Sequence, residues 1–99
     1  MKVLILGRLQ RVMDNVIKIL EDAEVKADGV LTDEEAYTLL ESNDYKAIVI
    51  GGGIGQQARD NIRSIAIQKK VEIIEVILGN YSVEDYYRNN IVPRLVQSK

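Results

Sequence analysis

The chain has no cysteine and no histidine among its 99 residues. Disulfides are thereby excluded, as is a zinc site built on the usual nitrogen and sulfur ligands. A Ser-His or Cys-His nucleophile is excluded by the same absence. Aromatic side chains are scarce, with five tyrosines and neither Phe nor Trp. Neither sign of charge dominates: 13 basic residues face 15 acidic ones, for a net charge of −2. That balance lacks the clustered basic face a nucleic-acid partner requires. A long hydrophobic run is also missing. The opening stretch, MKVLILGRLQ, is too short for a signal-peptide core and far too short to span a bilayer, so a cytoplasmic location without membrane contact is expected. With no linker, repeat or low-complexity stretch, residues 1–99 read as one domain.

What is present is a regular alternation of two periodicities. Lys2–Leu6 is apolar on both faces of a period-two element, the pattern of a strand buried on both sides. Leu9, Val12, Met13, Val16, Ile17 and Leu20 then recur at helical spacing, predicting an amphipathic helix over Leu9–Asp22. Val25–Leu31 is a weaker strand carrying Lys26, Asp28 and Gly29. Thr32 and Glu35 form a T-x-x-E capping box, opening a short helix over Asp33–Glu41. Ala47–Ile50 is fully apolar. Ala58, Ile62, Ile65 and Ala66 mark a third helix reaching Lys69, and Val71–Leu78 a fourth strand. Ser82 and Asp85 suggest a cap for a last helix from Val83, which Pro93 should end or kink.

This β-α-β-α-β-α-β-α order with short links predicts an α/β fold with a parallel sheet and right-handed crossovers. Charge orders the strands. Val3–Leu6 and Ala47–Ile50 carry none and belong in the centre; the second strand carries Lys26 and Asp28, the fourth Glu72 and Glu75. Glu72 and Glu75 should point to opposite faces, which an edge strand tolerates. The expected order is 2-1-3-4, with helices on both faces.

That order is the flavodoxin-like winding. Over Met1–Leu78 the chain resembles a response-regulator receiver domain: MKVLILG stands where receivers have their first strand, and GVLTDEEAYTLLESNDYKAIVIG resembles their run of second strand, acidic-capped helix and third strand. The resemblance implies a regulatory module acting through protein contacts. It also implies loss of the family's chemistry. Where receivers hold magnesium with an acidic pair stand Gly7 and Arg8, and the phosphoacceptor position is Gly51. Gly79 or Asn80 occupies the place of the family's hydroxyl residue, and its lysine has no clear counterpart. An arginine in place of the metal carboxylates repels a hard cation. The expectation is a degenerate, non-phosphorylatable, non-catalytic receiver-like module with no cofactor, and Asp14 is expected to be a solvated surface residue.

The stretch IVIGGGIGQQARD, from Ile48 to Asp60, leaves two readings open. Gly51, Gly52, Gly53, Ile54 and Gly55 fall between the third strand and a helix, at the point where the predicted chain order reverses and where ligands of open α/β sheets bind. Glycines permit close backbone approach, and a helix start favours anions. Arg8 would lie across the crevice and Arg59 one turn into the helix. The loop also resembles a dinucleotide-binding motif, with Gly51 and Gly53 on the first two glycines of G-x-G-x-x-G and Gln56 replacing the third. A phosphate-bearing small molecule is therefore one candidate ligand; a plain strand-to-helix turn is the alternative. Tyr81, Tyr86 and Tyr87 cluster in an aromatic-poor chain and are candidates for an interface, most simply that of a homodimer.

Overall fold

A computed structural model describes residues 2–97. Its four strands are β1 (Lys2–Leu6), β2 (Lys26–Val30), β3 (Tyr45–Ile50) and β4 (Glu72–Glu75). They form one parallel sheet in the order β2-β1-β3-β4. The helices are α1 (Gln10–Asp22), α2 (Asp33–Ser42), α3 (Gln56–Lys69), α4 (Val83–Tyr86) and α5 (Val92–Gln97), with a π-helical segment at Tyr87–Ile91 joining the last two. The predicted α/β architecture and strand order are present.

Each strand divides its side chains between two cores. Leu4, Leu6, Ile48 and Ile50 pack with Ala36, Leu40, Ala58 and Ile62, beneath α2 and α3. Val3, Ile5, Ala47 and Val49 pack with Met13, Val16, Leu20, Tyr87, Ile91 and Leu95, beneath α1 and the C-terminal helices. The charged edge of β4 behaves as its odd spacing demands. Glu72 accepts from Arg94 of α5 at 2.8 Å, whereas Glu75 pairs with Arg59 and Arg63 of α3 on the other face.

Local signals explain the helix ends. The Thr32 hydroxyl accepts from the Glu35 amide at 3.3 Å and donates to the Glu35 carboxylate at 2.8 Å. Ser82 accepts from the Asp85 amide at 3.1 Å. Both caps were expected. α1 and α3 end instead with a residue in the left-handed region, Glu24 (φ 63°) and Lys70 (φ 59°). After each, the next amide reaches back to the last turn: Val25 to Leu20 O at 2.8 Å, Val71 to Ala66 O at 2.9 Å. This is the Schellman closure, usually made by glycine.

Three expectations need correction. β4 is shorter than Val71–Leu78: Val71 belongs to the α3 closure, and after Val76 bonds Ile50 O at 3.0 Å, β3 has ended and has no further carbonyl to offer. β3 starts earlier than Ala47, because Tyr45 already pairs with Lys2. Pro93 does not end the last helix, which runs on to Gln97. The Val92 amide bonds Tyr87 O in π register, so the extra residue per turn lies directly ahead of the proline. The widened turn accommodates the ring that would otherwise press on the preceding turn.

Gly29 also has a role the sequence left hidden. It read as a weakness in β2. A Cβ there would lie 2.4 Å from Met13 Sδ and 2.8 Å from Ile17 Cδ1, so these two side chains of α1 occupy the space that glycine leaves.

Candidate functional site

The order reverses between β1 and β3, and the two loops leaving their carboxyl ends flank a crevice. Gly7 continues β1 by donating to Val30 O at 3.1 Å, and Gly51 continues β3 by donating to Leu6 O at 2.9 Å. The glycine loop and the Gly7–Leu9 loop are thus brought together as expected, and Gly53 lies beside the Arg8 stem, 3.7 Å from an ideal Cβ position to Arg8 Cγ.

Neither arginine presents a free guanidinium to the crevice. Arg8 Nη2 donates to Asp33 Oδ1 at 2.6 Å and its Nη1 to Leu31 O at 2.9 Å, which ties the β1–α1 loop to the start of α2. Arg59 donates to Ile54 O at 3.0 Å and Gly51 O at 2.9 Å while pairing with Glu75. It clamps the glycine loop from outside, a role its sequence position did not reveal. Arg11 and Asp14 lie on the solvent side of α1, where Asp14 accepts from Gln10 at 2.8 Å.

The glycines themselves are unexpected in a different way. A tight turn would require them for positive φ or for close contacts. None of the four adopts positive φ; Gly79 is the glycine that does, at φ 58°. A Cβ would meet nothing within 4 Å at Gly52 or Gly55. Only Gly51 is tight, with Leu6 O at 3.2 Å from its Cβ position. Ile54 is the loop's anchor, 5 % exposed and packed in the α2/α3 core. The turn therefore explains one glycine and leaves the others with no steric reason to lack a side chain. Gly55 caps α3 without a side-chain bond.

Beside the glycine loop opens an apolar cleft of about 320 Å³. Gly51, Gly52 and Gly53 form one wall, Val12, Met13 and Val16 of α1 another. Val76 and Leu78 after β4, with Val83 and Tyr87, close the far side. Tyr87 is 3 % exposed, and burial pushes its hydroxyl well above the ordinary tyrosine value, so it stays protonated. That hydroxyl makes no hydrogen bond with another described residue. Yet no sealed side-chain oxygen or nitrogen lacks a partner among the described residues, so the hydroxyl must reach open space. Tyr87 is among the residues that line the cleft.

The three clustered tyrosines separate. Tyr87 is core and cannot present its ring to a partner. Tyr81 is 49 % exposed and meets the half-buried Tyr86 edge-to-face, with ring centroids 6.0 Å apart. Leu9 and Ile77 are also exposed at the carboxyl end of the sheet.

The opposite end of the sheet carries the polar cluster. Tyr45 donates to Asp28 Oδ2 at 2.8 Å, and Lys2 pairs with the same oxygen at 3.0 Å. The Tyr45 hydrogen bond, then Lys2, holds the Asp28 carboxyl below its ordinary value. Burial and then the Asp28 bond push the Tyr45 hydroxyl up. This cluster ties the first residues of β1 and β3 to the middle of β2 and does not reach the crevice. Among the described residues no group of three or more Asp and Glu is placed to hold a metal ion. No described helix is long and apolar enough to cross a membrane. No protein-family model matches the chain, and no curated protein matches it.

Proposed function

We propose that the protein is a non-catalytic, receiver-like regulatory module that works through contacts with proteins, a second copy of itself among them. The observation that supports this most is the character of the crevice. Where the resemblance would place magnesium-binding carboxylates and a phosphoacceptor, the chain has Gly7, Arg8 and Gly51, with Arg8 committed to Asp33. The surroundings are apolar rather than charged. Such a site supports neither metal binding nor acid–base chemistry. The exposed Leu9, Ile77 and Tyr81, all on loops that follow strand carboxyl ends, favour a contact surface there.

Two measurements test this reading. Incubation with acetyl phosphate and magnesium should leave the intact mass unchanged; a stable added phosphoryl group would overturn the non-phosphorylatable reading. Native mass spectrometry at micromolar concentration should show a dimer, weakened by Tyr81→Ala together with Tyr86→Ala. A monomer at high concentration would remove self-association.

A second reading, a phosphate-bearing ligand over Gly52–Ile54, is favoured by the glycines that no packing or φ requirement explains. It predicts that ADP or sulfate raises the melting temperature more than control salts of equal ionic strength. A ligand at a hundred times its dissociation constant adds about 2.7 kcal/mol.

A further inference from the structure

We propose that the cleft between α1, the glycine loop and the π-helical segment is a binding site for a neutral, planar aromatic molecule bearing one hydrogen-bonding atom, which the Tyr87 hydroxyl contacts. This goes beyond the reading of the protein as an interaction module, adding the size of the cleft and Tyr87 to the apolar character on which that reading rests.

Size is the first. The cleft measures about 320 Å³, roughly twice the ~150 Å³ apolar cavity that takes up benzene, and at the lower end of ligand pockets. One or two fused rings fit; a dinucleotide does not.

Lining is the second. The walls are Val12, Met13, Val16, Val76, Leu78 and Val83, faced by glycine backbone. The charged side chain at the rim, Arg8, is already neutralised by Asp33. A permanent anion would lose its hydration there without gaining a free cation, whereas an uncharged ring loses little.

Tyr87 is the third and the most specific. Its ring is core, its hydroxyl has no partner among the described residues, and that hydroxyl is not sealed away. Phenylalanine would fill the same space without a polar group to satisfy. Tyr87 lines the cleft, and its hydroxyl turned into that space would supply the single directional contact such pockets use to orient a ligand. Its position depends on the π register, since the segment begins at Tyr87 and its carbonyl accepts the Val92 amide. Isolated π turns often accompany functional sites.

The test is a titration of the ¹⁵N-labelled full chain with 2-naphthol, followed by amide shifts. Naphthalene and 2-naphthalenesulfonate are the comparison probes. Saturable shifts at submillimolar concentration, confined to residues around Gly7, Val12, Gly53 and Leu78, are expected for 2-naphthol. Naphthalene should bind the same residues about fivefold more weakly, the factor that one net hydrogen bond supplies. Tyr87→Phe should reduce 2-naphthol to the naphthalene level and leave naphthalene unchanged. Val12→Phe should abolish both; if it also lowers the melting temperature, Val83→Phe serves as the second filling variant.

Several results would overturn the proposal. Shifts scattered over the surface, or none that saturate, remove the site. A sulfonate that binds as tightly as the naphthol assigns the loop to anions. Affinity for 2-naphthol untouched by Tyr87→Phe removes the polar contact. Cleft amides that shift on dilution without any probe give the cleft to a second copy of the chain.

Discussion

The two faces of the sheet take alternate residues of the same strands and finish differently. β1 and β3 send Leu4, Leu6, Ile48 and Ile50 to the α2/α3 face, but Val3, Ile5, Ala47 and Val49 to the other. The first set is uniformly large, and its helices close over it with Ile54 plugging the carboxyl end. The second set is smaller. Near β2 the Met13 and Ile17 side chains of α1 fill the space over Gly29, while toward the carboxyl end the space stays open as the cleft. Side-chain volume on alternate positions thus decides which face is sealed and which can admit a ligand.

The sealed face should be the more sensitive to cavities. Ile62, fully buried there, should cost about 2–5 kcal/mol as Ile62→Ala, a fall of about 10 °C or more in thermal unfolding. The cleft-lining Val83 is only half-buried, and Val83→Ala should cost well under half as much. Equal losses would erase the distinction between the faces.

Overpacking probes the other side of the comparison. Gly29→Val should destabilise by about 1–3 kcal/mol, because Met13 and Ile17 have to move. Met13→Ala should recover part of that loss in the double variant, a coupling readable in a mutant cycle. Strict additivity would mean that α1 does not press on β2.

The two buried tyrosines give a sharper contrast. Tyr45→Phe removes a hydrogen bond to Asp28 and should cost about 1 kcal/mol, whereas Tyr87→Phe, with no partner to lose among the described residues, should be near neutral. The Tyr45 loss should also depend on pH. Asp28 is depressed in the folded state, so its contribution is present above the unfolded carboxylate value, about pH 4, and is lost as pH falls through the lower folded value. Tyr45 is raised, so its contribution is present below the unfolded tyrosine value, about pH 10, and declines above it. Denaturant melts of the two proteins should therefore differ most between those limits, converge toward acid, and close and then reverse toward alkali, where only the wild type has a buried hydroxyl to ionise on unfolding.

The smallest effect is a gain. Lys70→Gly relieves a left-handed residue at the end of α3 and should stabilise by about 0.5–1 kcal/mol, a rise of a few degrees. Glu24→Gly at the end of α1 should behave alike; a loss in either would mean that its side chain compensates for the backbone.

Much of this molecule was legible along the chain. The uncharged Val3–Leu6 and Ala47–Ile50 had to be central, because both of their faces are covered, and the charged β2 and β4 had to be edges. Glu72 and Glu75 had to part to opposite faces by the period of a strand, and Thr32 and Ser82 had to cap helices by local bonding. All of these follow from neighbours a few residues apart. The site did not. Arg8 and Arg59 looked free until Asp33, Glu75 and three loop carbonyls came within reach. Tyr87 looked like surface beside Tyr86 until the π segment and Pro93 set the last helix in its register. Gly29 read as a mark of a weak strand until Met13 and Ile17 lay over it. Periodicity sets which face a residue takes, but what that face meets, and whether the space there closes, depends on volumes contributed by segments distant in sequence, and only packing brings those together.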